Sequence, residues 1–238
     1  MRRLVKVKMT AVDGSTRQNI TIVDTANNRE MHLRDRSDLA SKKSLRKLEA
    51  DLRTAAHKDS VCVFAGAMPQ DEFFGDVVRI IKSCRSCGAK IVVDTFGEAL
   101  KLIVETGAVW LIKPNVEELC ELTGKQVRDN PAGLAKAGRK LLDRVAFVLI
   151  SRGKNGGVVV TKDGAWQGRC VGRRRVLSTV GCGDYLLAGF LMGLKDKFDA
   201  GSALQAAIKV ATARAWGWTD KISWLEARSI IRVQVRRM

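Results

Sequence analysis

The chain has two histidines, three prolines and few aromatic residues, 5% of 238. Each scarcity excludes something. His32 and His57 are not spaced for a zinc site, and neither stands where a Ser-His-Asp triad would need it. Three prolines, and 21 glycines without a triplet period, exclude a collagen-like chain. Sparse aromatics, not interleaved with basic residues, leave a stacking platform for single-stranded nucleic acid unsupported. No apolar run approaches the ~18 residues of a membrane span. The first residues carry a charge at every second or third position and lack the apolar stretch of a secretory signal. The expected compartment is therefore the cytoplasm, with no membrane partner. A G-x-x-x-x-G-K-(S/T) phosphate loop is missing, and so is a G-x-S-x-G elbow.

What is present fits a globular chain of one large or two small domains. Hydrophobic residues make up 46% and charged residues 28%, which excludes disorder throughout. Six cysteines stand at 62, 84, 87, 120, 170 and 182. Cys84 and Cys87 form one C-x-x-C, but it ends a helix, where no dipole activates a thiolate; reduced, structural cysteines are expected. The net charge is +17, unevenly spread. Residues 151–238 hold 16 basic and 6 acidic residues, against 12 and 11 over 61–150. The last third attracts anions: phosphorylated small molecules, or nucleic acid without specific recognition.

Between residues 60 and 150 apolar strand-like runs alternate with helical patterns. Ser60 to Phe64, Lys90 to Asp94, Val109 to Ile112 and Val145 to Ile150 read as strands. Helices are expected from about Asp71, through Leu100 and Ile103, through Leu119 and Leu122 to Gly124, and over about 131–144. Continuous apolar strands separated by helices indicate a parallel sheet covered on both faces. Residues 1–35 read as two or three short strands, followed by an amphipathic helix at about 38–57. A hairpin follows Gly157, turning at Lys162-Asp163-Gly164. From about 184 onward the pattern is helical, with Gly189 and Gly193 marking close packing. Domain limits of 1–36 and 37–238 follow.

In an open parallel sheet, ligands bind at the carboxyl ends of the strands. Three chemically unusual segments should converge there: Lys113-Pro114-Asn115, Ser151 to Gly156, and the glycine-rich turn before Asp184. That turn, Ser178-Thr179-Val180-Gly181-Cys182-Gly183-Asp184, carries the strongest signal. Two glycines present consecutive amides, and the helix that follows adds its positive end. Such a turn accommodates a transferring phosphoryl group, and a carboxylate at 184 can take a proton from an attacking hydroxyl. The plain alternative is a helix cap after a turn.

Thr179 to Gly189 resembles the G-(A/S)-G-D-x-x-x-A-G signature of the ribokinase-like, phosphofructokinase-B type sugar kinases. Gly181, Gly183, Asp184, Ala188 and Gly189 match; Cys182 replaces a small residue, and Tyr185 replaces a residue that is commonly Ser or Ala. The resemblance implies a three-layer α/β/α fold with a mainly parallel sheet and a small β lid at the N-terminus. It also implies that Asp184 is the catalytic base and that the Gly181, Cys182 and Gly183 amides form an anion hole. Lys113-Pro114-Asn115-Val116-Glu117-Glu118-Leu119 resembles the family's K-P-N-x-x-E-L, in which Asn115 and Glu118 would organise Mg²⁺ and the nucleotide phosphates. On residue type alone they read as a helix cap and a solvated face. Ser151-Arg152-Gly153-Lys154-Asn155-Gly156 resembles a nucleotide-contacting turn. ATP would thus meet Lys113, Asn115, Ser151, Gly153, Lys154, Gly156, Ser178 and Thr179. Val92 to Leu100 resembles a further stretch, V-D-x-S-G-x-A-L, although Asp94, like Asp13 and Asp163, reads as structural.

Thr16-Arg17-Gln18-Asn19 resembles the T-R-x-N of the phosphosugar branch, 1-phosphofructokinase and tagatose-6-phosphate kinase among them. There the arginine, here Arg17, grips the sugar phosphate with a planar fork of donors. The matches run collinearly over about residues 10–215. Nothing before Thr16 resembles the family's Gly-Gly-Lys-Gly segment or its sugar-binding Asp, so the sugar half is expected to be incomplete. Leu33 to Asp38 replaces a Pro-Gly-Pro-like turn. An ATP- and Mg²⁺-dependent phosphosugar kinase is the leading expectation. A truncated or degenerate homologue that binds nucleotide without transfer is the second, and a nonspecific nucleic-acid binder the last. The sequence does not give the oligomeric state; the resemblance offers a homodimer as one option, since family members with a small β lid often pair through it.

Overall fold

Periods of two and of three to four in the apolar residues become strands and helices at nearly the expected places. The computed structural model describes residues 6–24, 29–35, 39–172, 174–218 and 223–238. Expectations for residues 1–5, for 25–28 among the short strands, for 36–38 of the Leu33–Asp38 turn and its domain limit, and for 219–222 of the helical C-terminal pattern lie outside the described residues. The chain divides into two compact units, Met1–Cys62 with Ala67–Lys90, and Val63–Gly66 with Ile91–Met238.

In the first unit, β1 (Asn19–Asp24) pairs antiparallel with β2 (Arg29–Arg34), and Ile20 faces Leu33 while Ile22 faces Met31. Helix α1 (Lys42–Ala55) starts at Ser41, whose hydroxyl and that of Ser44 each bond the other's amide. Helix α2 (Phe74–Ser86) buries Val77, Ile80, Ile81 and Cys84. An ion pair from Arg79 to Glu49 at 2.9 Å ties it to α1. The thiol of Cys84 is pushed up to about 12, first by burial, and all six cysteines are free. Cys84 is thus a protonated core residue, as the position of the C-x-x-C predicts.

The second unit is built on a seven-stranded sheet in the order β3-β4-β5-β6-β7-β8-β9. The strands are β3 (Val61–Ala65), β4 (Lys90–Asp94), β5 (Leu111–Ile112), β6 (Phe147–Ser151), β7 (Gly157–Thr161), β8 (Gly164–Cys170) and β9 (Val233–Arg237). β4, β5 and β6 run parallel; β6 to β9 are joined antiparallel, the expected hairpin being β7 and β8. Helices α3 (Gly97–Glu105), α4 (Val116–Thr123), α5 (Pro131–Arg139), α6 (Cys182–Lys195), α7 (Ala200–Ala215) and α8 (Trp224–Ile230) complete it. Val92, Leu111, Leu149 and Val159 turn toward Leu187 and Phe190 of α6 and Leu204 and Ile208 of α7. The alternate side chains turn the other way: a Cβ on Gly138 of α5 would touch Val160 at 2.9 Å and Ile150 at 3.7 Å. Both faces are therefore covered.

The structure differs from expectation at the C-terminus, which is not wholly helical. Val233 to Arg237 forms an edge strand on β8, with Val235 opposite Gly168. The third strand is also shorter than expected. Val109 is buried and Trp110 bonds the Ile91 carbonyl at 2.8 Å, but regular pairing is confined to two residues.

Candidate active site

The turn into α6 depends on Gly181, which caps the helix at φ +79°, a conformation costly for any residue with a Cβ. Ser178 and Thr179 set its shape. The Ser178 hydroxyl accepts the Val180 amide at 3.1 Å, the Ser178 carbonyl accepts the Cys182 thiol at 3.7 Å, and the Thr179 carbonyl accepts the Cys182 amide at 3.1 Å. This revises the expected anion hole, because the Cys182 amide is already used inside the turn. No side chain caps α6. The amides of Gly181, Gly183 and Asp184 have no partner among the described residues. First-turn amides are orphaned by helix geometry, so three donors stand free at the positive end of the helix dipole. The exposed Asp184 carboxylate is beside them, its Oδ2 3.9 Å from the point where a Gly181 Cβ would stand.

Lys113 and Asn115 come from the end of β5. Lys113 is buried, and its ammonium lies 3.0 Å from the Asp94 carboxylate at the end of β4. The same Nζ is 3.2 Å from where a Cβ on Gly183 would be, so a side chain at 183 would make the ammonium give by a few tenths of an ångström. Burial raises the Asp94 pKa above the ordinary carboxylate value. Lys113 pulls it down, and the charge of Asp184 adds to the rise. Asp94, expected to be merely structural, thus belongs to the same constellation. Thr95 beside it has a buried hydroxyl with no hydrogen-bond partner among the described residues.

Asn115 and Glu118 form a reciprocal cap on α4: the Asn115 side chain accepts the Glu118 amide and the Glu118 carboxylate accepts the Asn115 amide, both at 2.8 Å. Glu118 is half-buried, not the solvated residue its type indicates, and burial raises its pKa against the opposing pull of that cap. Its second carboxylate oxygen is a hard donor of the kind that Mg²⁺ takes alongside phosphate and water. Among the described residues no cluster of three acidic, His or Cys side chains could hold a metal unaided. The residues fit a cation brought with a nucleotide.

Ser151 joins this edge directly, its amide bonding the Pro114 carbonyl at 3.0 Å in a parallel bridge with Asn115. The following turn is held by Arg152, paired with Asp129 at 2.7 Å, and by Gly156 at φ +82°, where a Cβ would collide with the Gly168 carbonyl. Lys154, at an exposed tip with Gly153, has no partner among the described residues. Arg17 precedes β1 in the other unit, half-buried. The three expected segments therefore converge within the second unit. Sequence reasoning missed Asp94 and also Arg214, in the last turn of α7, whose Nε is 3.5 Å from the Gly181 Cβ position. The V-D resemblance at 93–94 was the available signal for the first; no local pattern marks the second. A separate hollow of about 350 Å³, lined by Lys125, Arg128, Lys136 and Lys140 among others, contains none of these residues.

The sequence pattern of the pfkB family carbohydrate kinases matches residues 2–216. A 1-phosphofructokinase of Borreliella burgdorferi is 29% identical over 212 residues, 89% of this chain and 66% of that protein. A 1-phosphofructokinase of Vibrio cholerae is 30% identical over 159 residues, 67% and 50%. The chain thus spans between half and two thirds of the length of these relatives. The tetrameric inhibited form of phosphofructokinase-2 from Escherichia coli has a TM-score of 0.83 at 21% identity, covering 95% of this chain and 73% of that one. The same enzyme in complex with substrates and products has a TM-score of 0.80 at 21% identity, covering 90% and 69%. At such identity the likeness is one of fold, and it is the ribokinase-like α/β fold expected from the sequence.

Proposed function

The chain belongs to the pfkB family of carbohydrate kinases, and on that basis we propose that it transfers the γ-phosphoryl group of ATP to a hydroxyl of a phosphosugar. The reading is carried by one observation: the Gly181, Gly183 and Asp184 amides at the start of α6 have no partner among the described residues, and the Asp184 carboxylate stands beside them. In it, Asp184 takes the proton of the sugar hydroxyl. The hydroxyl oxygen bonds to the γ-phosphorus while the bond to the bridging β–γ oxygen breaks, and ADP leaves with that electron pair. The amides, preorganised and aimed at developing negative charge, favour the transition state over the bound substrate. Mg²⁺, when bound with ATP, neutralises phosphate charge; Glu118 and Asn115, with Asp94, would hold it. Ser151, Gly153, Lys154 and Gly156, with Lys113, Ser178 and Thr179, hold the nucleotide, and Arg17 grips the phosphate of the sugar.

The reading places the protein in the cytoplasm, where these substrates are; no helix among the described residues is long and apolar enough to cross a membrane. It also takes residues 1–36 as a partial lid on a core of 37–238, and that lid as a homodimer surface. A 10²–10⁴-fold loss of turnover in Asp184→Asn is the expected outcome, measured as ADP release with fructose 1-phosphate, fructose 6-phosphate and tagatose 6-phosphate. Near-normal release by that variant would refute the assignment. A second reading, a homologue that binds nucleotide without transfer, draws on the third of the relatives' length that the chain leaves unmatched. Calorimetric binding of ATP·Mg²⁺ without ADP release selects it.

A further inference from the structure

Two cations stand at the turn before α6, and they are not equivalent. Lys113 has its charge matched by Asp94 at 3.0 Å. The Arg214 guanidinium has no hydrogen-bond, ion-pair or ring partner among the described residues, although the residue is half-buried. Its Nε and the Asp184 Oδ2 flank one spot, 3.5 and 3.9 Å from the missing Cβ of Gly181.

A basic residue in the last turn of a helix is ordinarily accounted for by the helix dipole, and Arg214 is in the last turn of α7. The dipole accounts for the residue type but not for where the side chain goes. The backbone holds that end of α7 against the segment leading to the anion turn: the Leu177 amide donates to the Ala215 carbonyl at 2.8 Å. The Gly217 amide closes the helix on the Arg214 carbonyl at 3.0 Å. A Cβ on Gly217, itself at φ +68°, would meet the Leu177 side chain at 2.6 Å. The guanidinium is therefore delivered to the turn by an ordered helix end.

We propose that Arg214 is a catalytic residue of the phosphoryl transfer, its guanidinium binding the γ-phosphoryl oxygens while Gly181, Gly183 and Asp184 donate their amides and Lys113 stays paired with Asp94. This rests on the kinase reading above. Lys113, tied to Asp94, adds little net charge to the hole, so the developing charge on the phosphoryl oxygens falls to the free cation. A guanidinium suits the task because its planar donors match phosphate oxygens and it stays charged at any working pH. It is placed to contact the γ-phosphoryl, so it favours ATP over ADP and the transition state over both.

The test uses the full chain as wild type, Arg214→Met, Arg214→Lys and Arg214→Ala. Thermal melting first identifies which variants are folded. ADP release with the three phosphosugars, and calorimetric titration with ATP·Mg²⁺ and ADP·Mg²⁺, are then measured. The methionine variant is expected to lose 10²–10³-fold in kcat and about tenfold in ATP affinity, with ADP affinity unchanged. Methylguanidinium is expected to restore part of the Arg214→Ala loss, and the lysine variant to fall between. Turnover and ATP affinity of Arg214→Met within twofold of wild type would overturn the assignment. So would a loss that strikes ADP and ATP equally and resists rescue, since that describes a structural residue. If wild type binds ATP without transfer, the ATP-over-ADP preference decides alone. If wild type binds neither nucleotide, the kinase reading fails and this assignment with it, a result distinct from failure in Arg214 variants of an active wild type.

Discussion

At the scale of single residues, the Lys113–Asp94 pair makes the sharpest demand on stability. Only 8% and 13% of the two side chains are exposed, so removing one charge strands the other in a poorly solvated place. Asp94 is already held above its ordinary pKa by burial, in spite of Lys113, with Asp184 adding to the rise. A carboxyl whose folded pKa is raised contributes stability that is complete below its unfolded value, here 3.8, and that is lost as pH rises through the folded one. Lys113→Met removes the downward pull and moves that loss to higher pH. We expect the variant to be about 3 kcal/mol less stable at pH 7, with a smaller deficit at pH 4, where Asp94 takes up its proton and no longer needs the partner. Urea unfolding at both values checks this, with carbon-detected NMR of the Asp94 carboxyl expected to show a higher midpoint than in wild type. An equal deficit at both pH values would contradict it.

At the scale of elements, α6 carries the candidate base and α7 backs it. Gly193 of α6 lies where the two pack tightly: a Cβ there would stand 2.9 Å from the Ala203 Cα and 3.1 Å from its Cβ. Gly193→Ala must push the helices apart, at a cost of about 1–3 kcal/mol, and shift the first turn of α6 against Arg214. Its Tm is expected to fall and its kcat with it, although no titrating or substrate-contacting residue is substituted. A melting curve and kinetics identical to wild type would show that the helices have slack here. The glycines of α6 had already signalled this packing in the sequence, as had the strand-helix alternation from β3 to β6. Those features were legible because their cause is local, a few residues of a repeating pattern. The glycine turn was legible for the same reason. β9 was not: Val233 and Val235 alternate for one period before Arg236 and Arg237 intervene, and an edge strand tolerates charge on the exposed side. The Lys113–Asp94 pair and the approach of Arg214 to Gly181 join separate elements, which no spacing along the chain reveals. The Cys182 amide escaped for a subtler reason: residue types announce a turn but not which amides the turn consumes.

At the scale of the whole molecule, the surplus of positive charge suits anionic substrates, and the expected use of a surface is the one on the small β pair. The register of β1 and β2 puts Ile20 against Leu33 and Ile22 against Met31, so all four share one face of a two-stranded sheet. They are 53%, 48%, 50% and 60% exposed. A pair of strands with one bare apolar face is marginal in water, and contiguous exposed apolar groups mark a surface that another protein covers. Because both strands pair antiparallel with matched residues, a second copy of the same face is self-complementary about a twofold axis. Light scattering during size exclusion is expected to give twice the chain mass for wild type. Ile22→Asp, which sets like charges at the centre of that face, is expected to give the single-chain mass, with the melting of the second unit unchanged because Ile22 belongs to the first. A wild type that runs as a monomer at micromolar concentration, or an Ile22→Asp variant that remains dimeric, would remove this face from consideration and move any pairing elsewhere on the protein.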